Sequence, residues 1–231
     1  MINKQTVGIF SGSASTELSK EIAKILHQKI HTKEDILFLD VGCATGEFIW
    51  FNSSQFPKAR FFGLEINPEM VYVSGFSNGA FMAYTLACFL SNKVAAFAPV
   101  SGSLSPEDYD SCSPQRPVPI IHIHGVNDSQ IPIQGNDYVT PVQLVFNYWS
   151  SFNECNSTSV IDGDDNNGDG YGWYSDISSG CQQGVSINYT YLENFDHYWP
   201  SGNADKGGSS DINGATFIWD FLSRYDIDGL I

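Results

Sequence analysis

The nine residues Val71-Tyr72-Val73-Ser74-Gly75-Phe76-Ser77-Asn78-Gly79 constrain this chain more than any others. An extended apolar run ends in G-x-S-x-G, and Asn78–Leu90, rich in small and apolar residues, reads as the helix that follows. A serine held on a sharp strand-to-helix turn sits in strained backbone geometry, so small residues must flank it. The helix N-terminus then points its free N–H groups at whatever the serine attacks, which favours developing negative charge. The pattern therefore predicts Ser77 as a nucleophile and the backbone N–H of Asn78 as an oxyanion donor. The bland alternative is a tight glycine turn with a bystander serine.

A serine nucleophile needs a base, and the base needs an orienting acid. On a sheet with such a turn, these follow in chain order as Asp or Glu, then His. Asp128 lies in Val126-Asn127-Asp128, just after the strand-like His122-Ile123-His124-Gly125. His197 lies in Phe195-Asp196-His197-Tyr198-Trp199-Pro200, just after the last strand-like run. Both fall where loops at the carboxyl edge of a parallel sheet converge. Asp196 and Asp137 compete as the acid, although adjacent residues in an extended segment point apart. His122 and His124 share one strand face, which fits either packing or a metal pair. Trp199 fits either a substrate wall or core.

The order of elements is that of an α/β protein. Val7–Phe10, Ile36–Val41, Arg60–Ile66, Val71–Gly75, Val94–Val100, Val118–His124 and Val185–Leu192 read as strands. Glu17–Ile30, Glu47–Ser54, Asn78–Leu90, Pro141–Phe152 and Asn213–Tyr225 read as helices. Ser101–Pro117 and Asp162–Gly172 read as loops. This alternation predicts a largely parallel sheet flanked by helices. Only a few residues, Asn67-Pro68-Glu69-Met70, separate two of the strands, and a parallel crossover needs about a dozen. The chain therefore reads as spliced near residue 70.

Three segments, G-F-S-N-G-A-F-M-A, I-H-I-H-G-V-N-D-S-Q-I-P-I and D-H-Y-W-P, resemble the signature segments of the polyhydroxybutyrate depolymerase and feruloyl esterase family. The resemblance covers residues 71–225, two thirds of the chain. It implies an α/β-hydrolase-like fold and a serine carboxylic-ester hydrolase with Ser77, Asp128 and His197 as nucleophile, acid and base. The substrate it implies is a hydroxyalkanoate polyester or a feruloyl or acetyl ester of the plant cell wall. It also implies a disulfide between Cys155 and Cys181. The first half of that fold is missing or replaced, including the glycine-rich loop that supplies a second oxyanion donor.

Two other resemblances fill the gap. Ile36–Val41 followed by Gly42-Cys43-Ala44-Thr45-Gly46 resembles the first motif of class I S-adenosylmethionine-dependent methyltransferases. Glu65 stands where that family places a ribose-binding acid, so Gly42, Gly46 and Glu65 are candidate cofactor residues. Val7–Ile30 resembles the opening of ribose-phosphate pyrophosphokinases. The resulting division is residues 1–34, 35–70 and 71–231: a mosaic of a kinase-like fragment, a methyltransferase-like fragment and the esterase portion. Besides ester hydrolysis, the chain is consistent with a non-catalytic chimeric remnant or a cofactor-binding module. The hydrolase reading needs no organic cofactor.

Asp165-Asn166-Asn167-Gly168-Asp169-Gly170 fits the start of a calcium loop, D-x-[DN]-x-[DN]-G. Asp165, Asn167, Asp169, the Tyr171 carbonyl and Asp176 are the ligand positions, with aspartate where glutamate is favoured. A solvated turn explains the same composition. Cys43 and Cys88 lie in apolar segments and read as buried thiols, whereas Cys112, Cys155 and Cys181 lie in polar loops, as in exported proteins. Residues 1–15 show no secretion-leader pattern, so compartment is open between cytoplasm and a secreted or periplasmic site. With 26 acidic and 11 basic residues the formal charge is −15. That repels phosphate backbones and anionic membranes, which excludes nucleic acid and bilayers as expected partners.

Overall fold

The structure is a computed structural model that describes residues 6–11, 36–40, 69–163, 168, 170, 172–203 and 208–231. Eight strands form one sheet: β1 (Thr6–Ser11), β2 (Ile36–Asp40), β3 (Val71–Phe76), β4 (Ala96–Val100), β5 (Ile120–Gly125), β6 (Ser157–Gly163), β7 (Trp173–Ser179) and β8 (Ile187–Leu192). Their spatial order is β2-β1-β3-β4-β5-β8-β7-β6. Pairing is parallel from β2 through β8, and antiparallel at β8–β7 and β7–β6. Helices α1 (Asn78–Phe89), α2 (Pro106–Ser111), α3 (Val142–Phe152) and α4 (Gly214–Leu222) connect or cover the sheet. Two small hairpins, β9 (Ser201–Asn203) with β10 (Gly208–Asn213) and β11 (Tyr225–Asp226) with β12 (Gly229–Leu230), lie outside it.

The central strands are buried on both faces, and alternate residues go to opposite layers. Tyr72, Ala96, Ala98, Ile121 and Ile123 pack with Ile218, Phe221 and Leu222 of α4. Val73, Phe97, Ile120, Ile187 and Tyr189 pack with α1 and α3 on the other face. Small residues of α1, Gly79, Ala80, Ala83 and Ala87, are buried and let the helix lie close to the strands. In α3, Val142, Val145, Phe146 and Trp149 are buried at i, i+3, i+4 and i+7, the spacing of one helical face. Among the described residues, no helix is long and apolar enough to cross a membrane.

The expected α/β architecture holds, with a largely parallel sheet flanked by helices. Strand β1 lies between β2 and β3, so two strands from the N-terminal part of the chain extend the sheet next to the nucleophile strand. The expected helices Glu17–Ile30 and Glu47–Ser54 and the strand Arg60–Ile66 lie outside the described residues.

Three elements differ from expectation. Helix α2 lies inside the segment read as a Ser/Pro loop; Ser105 caps it by accepting from the Asp108 N–H at 3.0 Å. The antiparallel pair β6–β7 flanks the loop expected at Asp162–Gly172. Its mixed polar sequence carries no apolar alternation, because β6 is an exposed edge strand. Cys88 is not a free thiol: it bridges to Cys112. Cys88 ends α1 and Cys112 follows α2, and with α2 read as loop nothing indicated that the chain folds back there. The Cys155–Cys181 disulfide implied by the family resemblance is present and closes the base of the β6–β7 hairpin.

Candidate active site

Ser77 occupies the turn between β3 and α1 with φ 56° and ψ −118°. A non-glycine residue there is strained, and the surroundings hold it. The Ser77 N–H donates to the Val100 carbonyl at 2.9 Å, and its own carbonyl accepts from Ala80 N at 2.8 Å. A Cβ at Gly75 would stand 2.1 Å from the Gly79 carbonyl oxygen, and one at Gly102 would stand 2.8 Å from the Ser77 carbonyl oxygen. Gly75, predicted before the serine, is thus sterically required, and so is Gly102, which the sequence pattern did not single out. Asn78 is the exposed first residue of α1, so its N–H has no carbonyl one turn back within the helix to bond.

The loops carrying Asp128 and His197 are bound to each other before either side chain is considered. Val126 N donates to the Leu192 carbonyl at 2.9 Å, and Asn127 N donates to the Phe195 carbonyl at 3.0 Å. Ser129 N donates to the Asp196 carboxylate at 2.7 Å. Asp196 therefore spends its carboxylate on a backbone amide, which lowers its pKa. It clamps the loop and does not serve as the triad acid. Asp137 is exposed.

His197 Nδ1 lies 2.8 Å from Asp128 Oδ2, and His197 Nε2 lies 2.9 Å from Ser77 Oγ. The chain thus brings together residues 69 and 120 positions apart in sequence. Phe76 packs at 4.9 Å against the His197 ring, and Trp199 meets Phe76 edge-on at 6.4 Å. Trp199 is a partly buried wall of this corner. Asp128 is buried, and burial alone would raise its pKa. Hydrogen bonds from His124, His197 and the Ile131 N–H outweigh that and hold the carboxyl well below the usual carboxylate range. It stays ionised opposite an imidazole that accepts a proton.

His122 and His124 point into the layer beneath α1 and hydrogen-bond each other and neighbouring protein groups. Among the described residues, no cluster of three or more His, Cys, Asp or Glu could hold a metal. Asp165, Asn167, Asp169 and Tyr171 lie outside the described residues. Asp176 is in the middle of β7, where burial raises its pKa, and it lines a cavity of about 260 Å³ with Tyr174 and Tyr191. Gly42, Gly46, Glu65 and Cys43 also lie outside the described residues.

Fold and site together define an α/β-hydrolase with a serine nucleophile on a strand-to-helix turn. Comparison with known proteins adds that much of the chain is similar in sequence to feruloyl and acetylxylan esterases. A family model described as Phospholipase/Carboxylesterase matches residues 50–159, which include Ser77 and Asp128. A bifunctional acetylxylan esterase/xylanase of Neocallimastix patriciarum is 33% identical over 169 residues, 71% of this chain and 22% of that protein. Feruloyl esterase B of Piromyces equi is 25% identical over 173 residues, 70% of this chain and 28% of that protein. The chain thus spans under a third of the length of either relative. An acetyl xylan esterase structure from Aspergillus awamori superposes with a TM-score of 0.58 at 10% identity, over 96% of this chain and 90% of that one. Esterase PE8 superposes with a TM-score of 0.50 at 14% identity, over 94% and 93%. At such identities these structures establish the fold. None of these relatives is a methyltransferase or a pyrophosphokinase.

Proposed function

We propose that the protein is a serine carboxylic-ester hydrolase acting on acetyl or feruloyl esters of plant-cell-wall polysaccharide. The observation that carries this reading is the unbroken hydrogen-bonded line from Ser77 Oγ through His197 to Asp128. As the ester carbonyl is attacked, the Ser77 oxygen forms the new bond to carbon and its proton passes to His197 Nε2. The negative charge moves to the carbonyl oxygen beside the Asn78 N–H and the α1 N-terminus. His197 returns the proton to the leaving alkoxide, which departs as the alcohol. Water then repeats the sequence on the acyl-enzyme and releases the acid. Asp128 keeps Nδ1 protonated and balances the imidazolium.

The substrate class rests on the two relatives, whose names denote acetylxylan and feruloyl esterases. The two disulfides support a secreted or periplasmic site, where oxidised cysteines persist. The test is hydrolysis of a short-chain nitrophenyl ester by the protein and by Ser77→Ala. Activity confined to the serine form is expected. Equal background rates would reduce the chain to a folded remnant. A panel of acetylated xylan, methyl ferulate and a hydroxyalkanoate polyester then ranks the substrates, and preference for the polyester would overturn the cell-wall assignment. A structural calcium ion on residues 165–176 is a separate expectation; calorimetric titration without heat would remove it.

A further inference from the structure

The catalytic acid is gripped from two directions. Oδ1 of Asp128 accepts from Gln130 N at 3.0 Å and from Ile131 N at 2.7 Å. Oδ2 faces His197 Nδ1 at 2.8 Å and, from the other side, His124 Nε2 at 3.3 Å. His124 Nε2 also lies 2.8 Å from the Ile131 carbonyl oxygen. Behind it, His124 Nδ1 meets His122 Nε2 at 3.0 Å, and His122 Nδ1 meets the Tyr84 hydroxyl at 2.8 Å. The Tyr84 hydroxyl meets that of Tyr189 at 2.6 Å. All four side chains have 0% exposure. The groups that face this line are Tyr84 from α1, Tyr189 and Tyr191 from β8, and Asp128 and His197 from the two loops.

Hydrogen-bond chemistry and charge balance together select one proton order. A carbonyl and a carboxylate both face His124 Nε2, and neither can donate, so that nitrogen carries the proton. Asp128 is the anion that faces the line, and during catalysis its charge balances the His197 imidazolium. A second cation at His124 would have no counter-charge in a dry layer. His124 is therefore neutral and its Nδ1 is bare. It must accept from His122 Nε2–H, which leaves His122 Nδ1 bare to accept the Tyr84 O–H. The Tyr84 oxygen then accepts from Tyr189 O–H. Burial, followed by the neighbouring His124, holds the His122 pKa well below its usual value, and burial raises those of both tyrosines, so His122 stays uncharged and both hydroxyls keep their protons. Every donor points towards Asp128, and aligned bonds of this kind reinforce one another.

We propose that His124 is a positioning residue of the triad, and that Tyr189, Tyr84 and His122 form a one-way hydrogen-bond chain that locks it, uncharged, as the Nε2–H tautomer beside Asp128. The chain fixes the carboxylate against rotation, so Oδ2 stays in line with His197 Nδ1. The inference rests on Ser77, His197 and Asp128 being the catalytic centre.

The proton order is read directly from long-range proton–nitrogen correlation spectra of the ¹⁵N-histidine-labelled protein, assigned with His122→Gln and His124→Gln. The expected result is the uncharged Nε2–H tautomer at both histidines. A Nδ1–H tautomer at either, or a doubly protonated His124, would overturn the proposal without touching the esterase reading. Kinetics give the second arm. Tyr84→Phe keeps the ring and removes the donor, leaving a buried acceptor unpaired, and should lower kcat about tenfold with KM unchanged. His124→Ala should lose more, and His124→Gln, which keeps an N–H, should recover part of it. Unchanged kcat in both Tyr84→Phe and His124→Ala would also overturn the proposal. Wild-type activity that survives Ser77→Ala would sink the reading of the site itself.

Discussion

Replacing Asp128 by asparagine exchanges one oxygen for an NH₂ group, and the surroundings decide which oxygen is lost. Oδ1 accepts two backbone N–H groups, from Gln130 and Ile131, so an NH₂ placed there would face two donors. The amide oxygen must stay at that position, and the NH₂ takes the place of Oδ2. It then faces His197 Nδ1 as a donor and forces that nitrogen to be bare. The remaining imidazole proton moves to Nε2, which lies 2.9 Å from Ser77 Oγ and can no longer accept its proton. The loss expected for this tautomer reversal is about 10⁴ in kcat, or about 5.5 kcal/mol of transition-state stabilisation. Steady-state hydrolysis of nitrophenyl acetate measures it, with KM and the far-ultraviolet spectrum as controls for an intact site and fold. A loss below tenfold in a folded variant would refute both the amide orientation and the role given to Asp128.

Because the Asp128 carboxyl is held below its ordinary range in the folded chain, its contribution to stability is fully present above the unfolded value of about 3.9. That contribution is lost as pH falls through the lower folded value. Asp128→Asn should therefore flatten the fall of Tm below about pH 4, and an unchanged slope would count against it. Gly75→Ala drives a Cβ against the backbone of Gly79, which cannot swing away as a side chain can, so a loss of about 3 kcal/mol and a collapse of activity are expected. Denaturant titration and the ester assay check the two parts. Removing the Cys155–Cys181 bridge by double serine substitution releases a link spanning 26 residues and should cost about 3.5 kcal/mol by chain entropy, read from the denaturant midpoint.

What could be read from the sequence was set by how local the physics is. The elbow was legible because Gly75, Ser77 and Gly79 must be adjacent to make it, and the buried strands β3, β4 and β5 carry continuous apolar runs. The triad was legible because each member follows a strand end, where parallel topology gathers loops. The β6–β7 hairpin was not, because an exposed edge strand such as Ser157–Gly163 has no buried face to impose a pattern. The Cys88–Cys112 bridge depends on α2 turning the chain back, a relation that composition does not record. His122 and His124 were visible as a pair on one face, but the hydroxyls that order them come from Tyr84 and Tyr189, 38 and 67 residues from His122. The role of Asp196 was also hidden: a carboxylate beside the catalytic histidine competes for the triad until the Ser129 amide is seen to occupy it.

The nucleophile, the base, the acid and the chain behind the acid all belong to one continuous stretch, residues 77–197. Strands β1 and β2 meet that stretch through the ladder between β1 and β3. Main-chain ladders ask little of side-chain identity, so the outer strands behave as an interchangeable selvedge on a fabric whose pattern is woven elsewhere. A consequence is that the molecule lends itself to being cut. If residues 1–70 and 71–231 are produced as separate polypeptides, the second carries Ser77, His197 and Asp128, and the first carries the strand that pairs with the edge of β3. Covalent continuity would then matter for speed of assembly more than for what is assembled.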